Sequence, residues 1–180
     1  MVSTTTSYDD SKMLTGLFKN RQDAEYAFNA ASERGYGKQD VNVVMSDETR
    51  KRHFSGADAV ETEFGTKAAE GAGIGGAIGG TLGAIVGAIA AVGTSIALPG
   101  LGLVIAGPLA AAIAGAGAGG ATGGLLGALV GWGIPEERVH HYEAGIKDGG
   151  ILMGIKPRSA EDATFLEKHW KSRNGEHVHM

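Results

Sequence analysis

The chain contains no cysteine among its 180 residues. This absence excludes disulfide scaffolds, thiol nucleophiles, iron–sulfur clusters and cysteine-based zinc sites. An excess of basic residues is also missing, since 16 Lys and Arg stand against 20 Asp and Glu and give a net charge of −4. A nucleic-acid-binding protein needs a basic patch that neutralises phosphates, so we expect no nucleic-acid partner.

Charge is also absent from the middle of the chain. No charged residue occurs between Glu70 and Glu136, a run of 65 residues. All 36 charged residues therefore lie in the other 115, while the uncharged run holds 21 of the 31 glycines. The two flanks and the middle are thus suited to different environments.

The first flank reads as a short α/β unit. Residues 1–11 are rich in Ser, Thr and Asp, which predicts a disordered tail without a secretory signal. A strand is predicted over 13–18 and a second over 41–45, joined by a helix over 21–34 that Asn20 caps and Gly35 ends. This crossover is long enough for parallel strand pairing.

The second flank repeats the alternation. A helix is predicted from Pro135 to the Gly149–Gly150 pair, then a strand over 151–155, then a helix opened by Ser159 and Asp162, and finally an edge strand over 176–180. Each flank is too small to bury a core alone. We therefore predict one discontinuous α+β domain, residues 12–65 and 134–180, of ferredoxin-like βαβ-αβα(β) arrangement and interrupted by residues 66–133.

The uncharged run carries glycine at every fourth position, in two series of five. The series are Gly71, Gly75, Gly79, Gly83 and Gly87, followed by Gly115, Gly119, Gly123, Gly127 and Gly131. This spacing predicts a glycine-zipper helical hairpin over 66–133, with arms at 66–97 and 108–133. Pro99 and Gly100 end the first arm, and Pro108 begins the second.

Such helices need a partner surface. Nine glycines in an arm, at about 0.8–1 kcal/mol each relative to Ala, leave it roughly 7–9 kcal/mol short of helix stability. A groove of glycines lets another backbone approach closely, and hydrocarbon forces internal backbone pairing. Three settings remain open: a hairpin in lipid, a hairpin hidden in a soluble oligomer, and a fold-back onto the domain. The link 98–107 carries no charge, which favours a tip at an interface or inside protein.

Several segments together resemble a known family. They are Gly-Ala-Gly-Ile-Gly-Gly-Ala-Ile-Gly-Gly from Gly71, Leu-Pro-Gly-Leu-Gly from Leu98, Ala-Gly-Pro-Leu-Ala from Ala106, Trp-Gly-Ile-Pro-Glu-Glu from Trp132, Tyr-Glu-Ala-Gly-Ile-Lys-Asp-Gly-Gly-Ile-Leu from Tyr142, and Gly-Leu-Phe from Gly16. Over about residues 13–170 the chain resembles the bacterial general stress and low-temperature-induced proteins, which pair a small α/β domain with a glycine-zipper segment. The resemblance implies stress induction and membrane association, and it supplies no catalytic residues.

Signals for chemistry are weak. Two Gly-x-Gly-x-x-Gly matches, from Gly71 and Gly115, lack the preceding strand that a dinucleotide site needs. His177 and His179 would share one face of a strand and could hold a metal, but a frayed end explains them as well, and His140 and His141 point apart. We therefore expect no catalytic residue, no metal and no cofactor, and no enzyme activity.

The sequence thus predicts a non-enzymatic stress-associated protein that forms homo-oligomers through its hairpin. We expect it at the cytoplasmic membrane, in contact with lipid and with the α/β domain on the cytoplasmic side, because both ends of the hairpin return to that domain. The alternative is a soluble cytoplasmic oligomer that senses a small ligand and buries the hairpin in the assembly.

Overall fold

One antiparallel sheet of six strands organises the chain. The computed structural model describes residues 12–54, 95–98, 102–108, 110, 129–130 and 133–180. The strands are β1 (Leu14–Phe18), β2 (Val41–Ser46), β3 (Ser95–Leu98), β4 (Leu103–Ala106), β5 (Ile151–Ile155) and β6 (Glu176–His179). They lie in the order β3-β4-β2-β5-β1-β6, and every neighbouring pair is antiparallel.

Among the described residues, four helices with defined bounds pack around this sheet. They are α1 (Arg21–Glu33), α2 (Asp47–Phe54), α3 (Glu136–Lys147) and α4 (Ala160–Ser172), and a 3₁₀ turn covers Lys38–Asp40. The predicted caps are present, since Asn20 accepts a bond from the Asp23 amide at 2.8 Å and Ser159 accepts one from the Asp162 amide at 3.1 Å. The mixed α and β class is confirmed, as are the strands and helices predicted in both flanks.

The first two strands, β1 and β2, do not pair directly with each other, although the crossover between them is long enough for parallel pairing. β5 lies between β1 and β2 and pairs antiparallel with both, from Phe18↔Ile151 on one side to Met45↔Ile151 on the other. β1 and β2 therefore run in the same direction without pairing with each other. The helix α1 supplies the crossover that this spacing requires.

The predicted end of the first helical arm is wrong. Residues 95–97 were expected to be helical, but they belong to β3, which pairs with β4 in the register Leu98↔Leu103. The proline–glycine link therefore lies between two antiparallel strands in the sequence, and not between two helices. β4 in turn pairs with β2 and is buried along its length, which explains why this link carries no charge.

The sequence reasoning missed α2 because this helix has no apolar face. Its first turn carries Asp47 and Glu48, and its last turn carries basic residues. Acidic residues at the start of a helix and basic residues at its end both interact favourably with the helix dipole. The Ser46 side chain also accepts a bond from the Thr49 amide at 3.0 Å, as an N-cap does. These end signals were the only ones available.

Each face of the sheet has its own core. On one face α1 and α4 cover alternate strand residues, and Trp170 is central there: its indole N–H donates to the Ala27 carbonyl at 3.1 Å and its ring meets Phe18 edge-to-face at 5.6 Å. On the other face α3 packs with residues from the ends of the second glycine-rich segment, Ala110 and Leu129. The sheet is thus the middle of three layers.

A polar cluster ties the two flanks together beside α4. The Tyr36 hydroxyl donates to Asp162 Oδ2 at 2.7 Å and accepts from the Arg158 backbone amide at 2.7 Å. Arg34 also reaches Asp162, at 3.3 Å, and Arg158 pairs with Asp40 at 3.0 Å. Burial, together with donation to Asp162, raises the pKa of Tyr36 to about 12.

Gly107 ends β4 where only glycine fits. Its φ is +100°, and a side chain there would meet the Val41 carbonyl oxygen and Asn42. We expect Gly107→Ala to lower the free energy of unfolding by roughly 2–4 kcal/mol, from backbone strain and overpacking together. Gly102→Ala is the matched control, since Gly102 also has positive φ (+62°) but nothing within 4 Å, and it should cost about 1–2 kcal/mol. Urea unfolding measures both, and equal losses would contradict the predicted clash at Val41.

Tyr36 gives the fold a defined alkaline limit. The unfolded chain loses this phenol proton near pH 10, whereas the folded chain keeps it until about pH 12. The stabilisation is therefore complete below about pH 10 and is lost as the pH rises toward 12. Tyr36→Phe should make the fall of unfolding free energy across this window shallower, with the remainder due to Tyr142, whose pKa is also raised by burial, while Tyr26→Phe, at an exposed ring, serves as the control. A Tyr36→Phe profile with the original slope would contradict the contribution of Tyr36.

Candidate functional site

The predicted glycine series lie outside the described residues. This holds for Gly71, Gly75, Gly79, Gly83, Gly87, Gly115, Gly119, Gly123, Gly127 and Gly131, and also for Pro99, Gly100 and the tail 1–11. Pro108 is described, and it is exposed at the start of helical backbone directly after Gly107. The second arm was predicted to begin at this residue.

The far end of the second glycine-rich segment has a clear helix stop. Leu129 and Val130 are helical, the Gly133 amide donates to the Val130 carbonyl at 2.8 Å, and the Ile134 amide donates to the Leu129 carbonyl at 3.3 Å. With φ of +75° at Gly133, this is a Schellman motif. Since Ala110 and Leu129 are both buried in the α3-side core, the segment starts and ends at the sheet.

The described residues do not include a membrane-crossing helix or a metal cluster. None of the helices resolved above has both the length and the hydropathy that a bilayer span requires. In the same parts of the chain, no group of three His, Asp or Glu side chains is arranged around a common metal position.

A cleft between α3 and β6 holds the most chemically distinctive side chains. It has a volume of about 340 Å³ and is lined by Arg138, His141, His177, Val178 and His179. Arg138 and His141 are one helical turn apart on α3, so they point toward the same side. The two other histidines come from the edge strand β6, and we call this group the α3–β6 cleft.

A β-bulge aims the strand residues into the cleft. Thr15 pairs with His179 while Leu17 pairs with Glu176, so β6 carries one extra residue against β1. His177 lies in this bulge and has a φ of +52°, a left-handed conformation that is uncommon outside glycine. As a result its ring stacks on His141, with 4.9 Å between the ring centroids and 17° between the planes.

Two buried hydroxyls hold the bulge in place. The Tyr142 hydroxyl donates to the His177 carbonyl at 2.8 Å and lies 2.9 Å from the Thr15 hydroxyl, which also reaches the His179 carbonyl at 3.3 Å. Because Tyr142 uses its proton on His177, the Thr15 proton serves either Tyr142 or His179. Burial raises the pKa of Tyr142 against the opposing effects of Thr15 and Arg138, so the phenol stays a donor at neutral pH.

The structure brings together residues that the sequence reasoning kept apart. The predicted edge strand is confirmed, and both His177 and His179 line the cleft instead of forming a pair on a regular strand face. Arg138 and His141 were missed as partners. Their spacing with Tyr142 on one face of α3 was visible, but nothing in the sequence indicated that β6 lies beside that face.

Tyr142 tests how the cleft is built. Tyr142→Phe leaves the His177 carbonyl without its donor, which should cost about 1–3 kcal/mol of unfolding free energy and speed amide hydrogen exchange in β6. Tyr26→Phe, the exposed control, should change stability by less than about 0.5 kcal/mol. If exchange in β6 matched that of the unmodified protein, the hydroxyl would not be what holds the bulge.

The described residues therefore form a cleft that is lined mainly by polar side chains. They also include Ala110 and Leu129, which are buried in the core near the two ends of the second glycine-rich segment. No protein-family model, no curated protein and no solved structure matches this chain. Its function is accordingly inferred from residue chemistry and geometry.

Proposed function

We propose that this is a non-enzymatic, stress-associated protein that forms homo-oligomers through its glycine-rich segments, at the cytoplasmic membrane. The observation that carries the proposal is the uncharged run from Gly71 to Pro135, with its two series of glycines at four-residue spacing. Helices with such stripes are stable only where another backbone covers the stripe. The resemblance to the general stress and low-temperature-induced proteins supports the same interpretation.

We place the α/β domain in the ferredoxin-like class. The order β6-β1-β5-β2, with α1 joining β1 to β2 and α4 joining β5 to β6, supports this assignment. Contacts between α1 and α4 on one face of the sheet are also as expected. The hairpin β3–β4 is then an addition at the β2 edge, and α3 covers the opposite face.

The attachment points divide the glycine zipper into two segments. The first series falls between α2, which ends at Phe54, and β3, which begins at Ser95. The second series starts after Pro108 and ends before the Gly133 stop. Each segment is joined at both ends to elements of the domain. The domain therefore lies on one side of the lipid or protein surface that the glycine stripes contact in this proposal. In this proposal the two segments meet each other or those of a second copy.

A soluble oligomeric ligand-binding module is the second candidate. Ala110 and Leu129, near the two ends of the second segment, are both buried in the core of the domain, as expected for a segment covered by protein. The α3–β6 cleft gives such a module a place for a ligand. Both candidates self-associate. They differ in whether lipid or protein covers the apolar side chains that stand between the glycines of the two segments.

Self-association is tested by filling the glycine stripes. Gly79→Leu combined with Gly123→Leu adds a bulky side chain to each stripe, which prevents close backbone approach, and should lower the oligomer mass measured by light scattering in detergent. Ala77→Leu combined with Ala121→Leu adds similar bulk two residues away from each stripe, and serves as the matched control. An unchanged mass in the glycine variant, or an equal loss in the control, would contradict the zipper.

Fractionation of the unmodified protein separates the two settings. Recovery in the membrane pellet after washing supports the membrane-associated form. Recovery in the supernatant as an oligomer that the glycine substitutions dissociate supports the soluble module and contradicts lipid attachment.

A further inference from the structure

We infer that the α3–β6 cleft is a binding site for a small oxyanion, either phosphate or the carboxylate of a small organic acid. The inference is independent of the glycine-rich segments, since every residue it uses lies in α3, β1 or β6. The cleft's volume of about 340 Å³ falls within the range of roughly 300–1,000 Å³ typical of small-molecule sites.

Four of the five residues that line the cleft carry hydrogen-bond donors, and one of them, Arg138, carries a fixed positive charge. Arg138 contributes a guanidinium with five N–H donors in a planar fork, which matches the geometry of phosphate and carboxylate oxygens. One of its N–H groups contacts the Tyr142 hydroxyl. His141, His177 and His179 each carry at least one N–H donor in the neutral form of the ring and two in the charged form.

No carboxylate balances these donors within the lining of the cleft. α3 and β6 carry four acids, and none of them lines the cleft: Glu176 pairs with Lys19 at 2.6 Å, Glu143 pairs with Lys147 at 2.7 Å, and Glu136 and Glu137 lie in the first turn of α3. An anion is therefore the ligand whose charge the cleft complements.

The cleft is also preorganised, which separates it from a chance group of surface side chains. The left-handed backbone at His177 is held by the buried Tyr142 hydroxyl, and the Thr15 hydroxyl reaches the His179 carbonyl. Backbone strain of this kind persists where the surroundings maintain it, and it concentrates at ligand sites. A bulge also protects an edge strand from pairing with another chain, but protection alone does not require imidazoles stacked beside a guanidinium.

A transition metal fits the cleft less well. Three histidines are typical metal ligands, but Arg138 places a fixed positive charge among them and no lining carboxylate offsets it. The three imidazoles are also not directed at a common point in the described structure. These features favour an anion over a cation.

The test is titration of the full-length protein with inorganic phosphate, and separately with acetate, at constant ionic strength and neutral pH. Histidine ring resonances in NMR spectra should shift saturably for His141, His177 and His179, and should not shift for His53 and His169, which lie on α2 and α4. Saturation by phosphate alone identifies a phosphate site, and saturation by acetate identifies a carboxylate site. Calorimetry gives the dissociation constant for each variant.

Arg138→Gln should weaken binding about tenfold or more, because the bidentate fork is lost. Arg52→Gln removes the same charge from α2 outside the cleft and should leave the dissociation constant within twofold. His141→Gln, which removes one exposed imidazole of the stacked pair, is a second variant in case Arg138→Gln disturbs Tyr142, and it should also weaken binding. Equal weakening by Arg52→Gln, shifts that never saturate, or a saturable response to Zn²⁺ with none to either anion would each overturn the assignment.

Discussion

The pairing of β5 with both β1 and β2 is the constraint on which the rest of the structure depends. Residues 151–155 come more than a hundred positions after β2, yet they fill the space between the first two strands and satisfy backbone groups on both. Removing β5 would split the sheet into two separate parts, β6–β1 and β2–β4–β3, with no closed core. Because of this pairing, the two charged flanks form one domain, although the uncharged run separates them in the sequence.

The two faces of the sheet then take different roles. The face covered by α1 and α4 is closed by Trp170 and by the Tyr36 cluster, which joins residues from both flanks. The other face receives α3 together with the ends of the second glycine-rich segment. The uncharged run is thus fastened to the side that also positions Arg138 and His141. One face therefore holds the core and the polar cluster that join the two flanks, and the helix on the other face contributes to the α3–β6 cleft.

Local chemistry made the flanks predictable. Asn20 and Ser159 cap their helices from positions readable in the sequence, and Gly35 follows α1 with φ of +79°. Prediction failed where the deciding contact was distant. β3 was assigned to a helix because its Ser-Ile-Ala-Leu sequence is compatible with either structure, and only pairing with β4 selects the strand. The helix α2 lacks an apolar stripe, so its end signals alone were insufficient evidence.

The sequence by itself determined the α+β class, the two-flank organisation and the presence of an uncharged segment with glycine at every fourth position. These follow from periodicity, capping and charge, which act over a few residues. The tertiary structure decided the strand order, the addition of β3 and β4 to the sheet, and the meeting of Arg138 and His141 with β6. The contacts between α3 and β6 join residues 35 positions apart, as in the bond from Tyr142 to His177, and a one-residue bulge at His177 decides which way the edge side chains face. No local pattern encodes such a register, because it is selected only when both faces of the sheet are buried together.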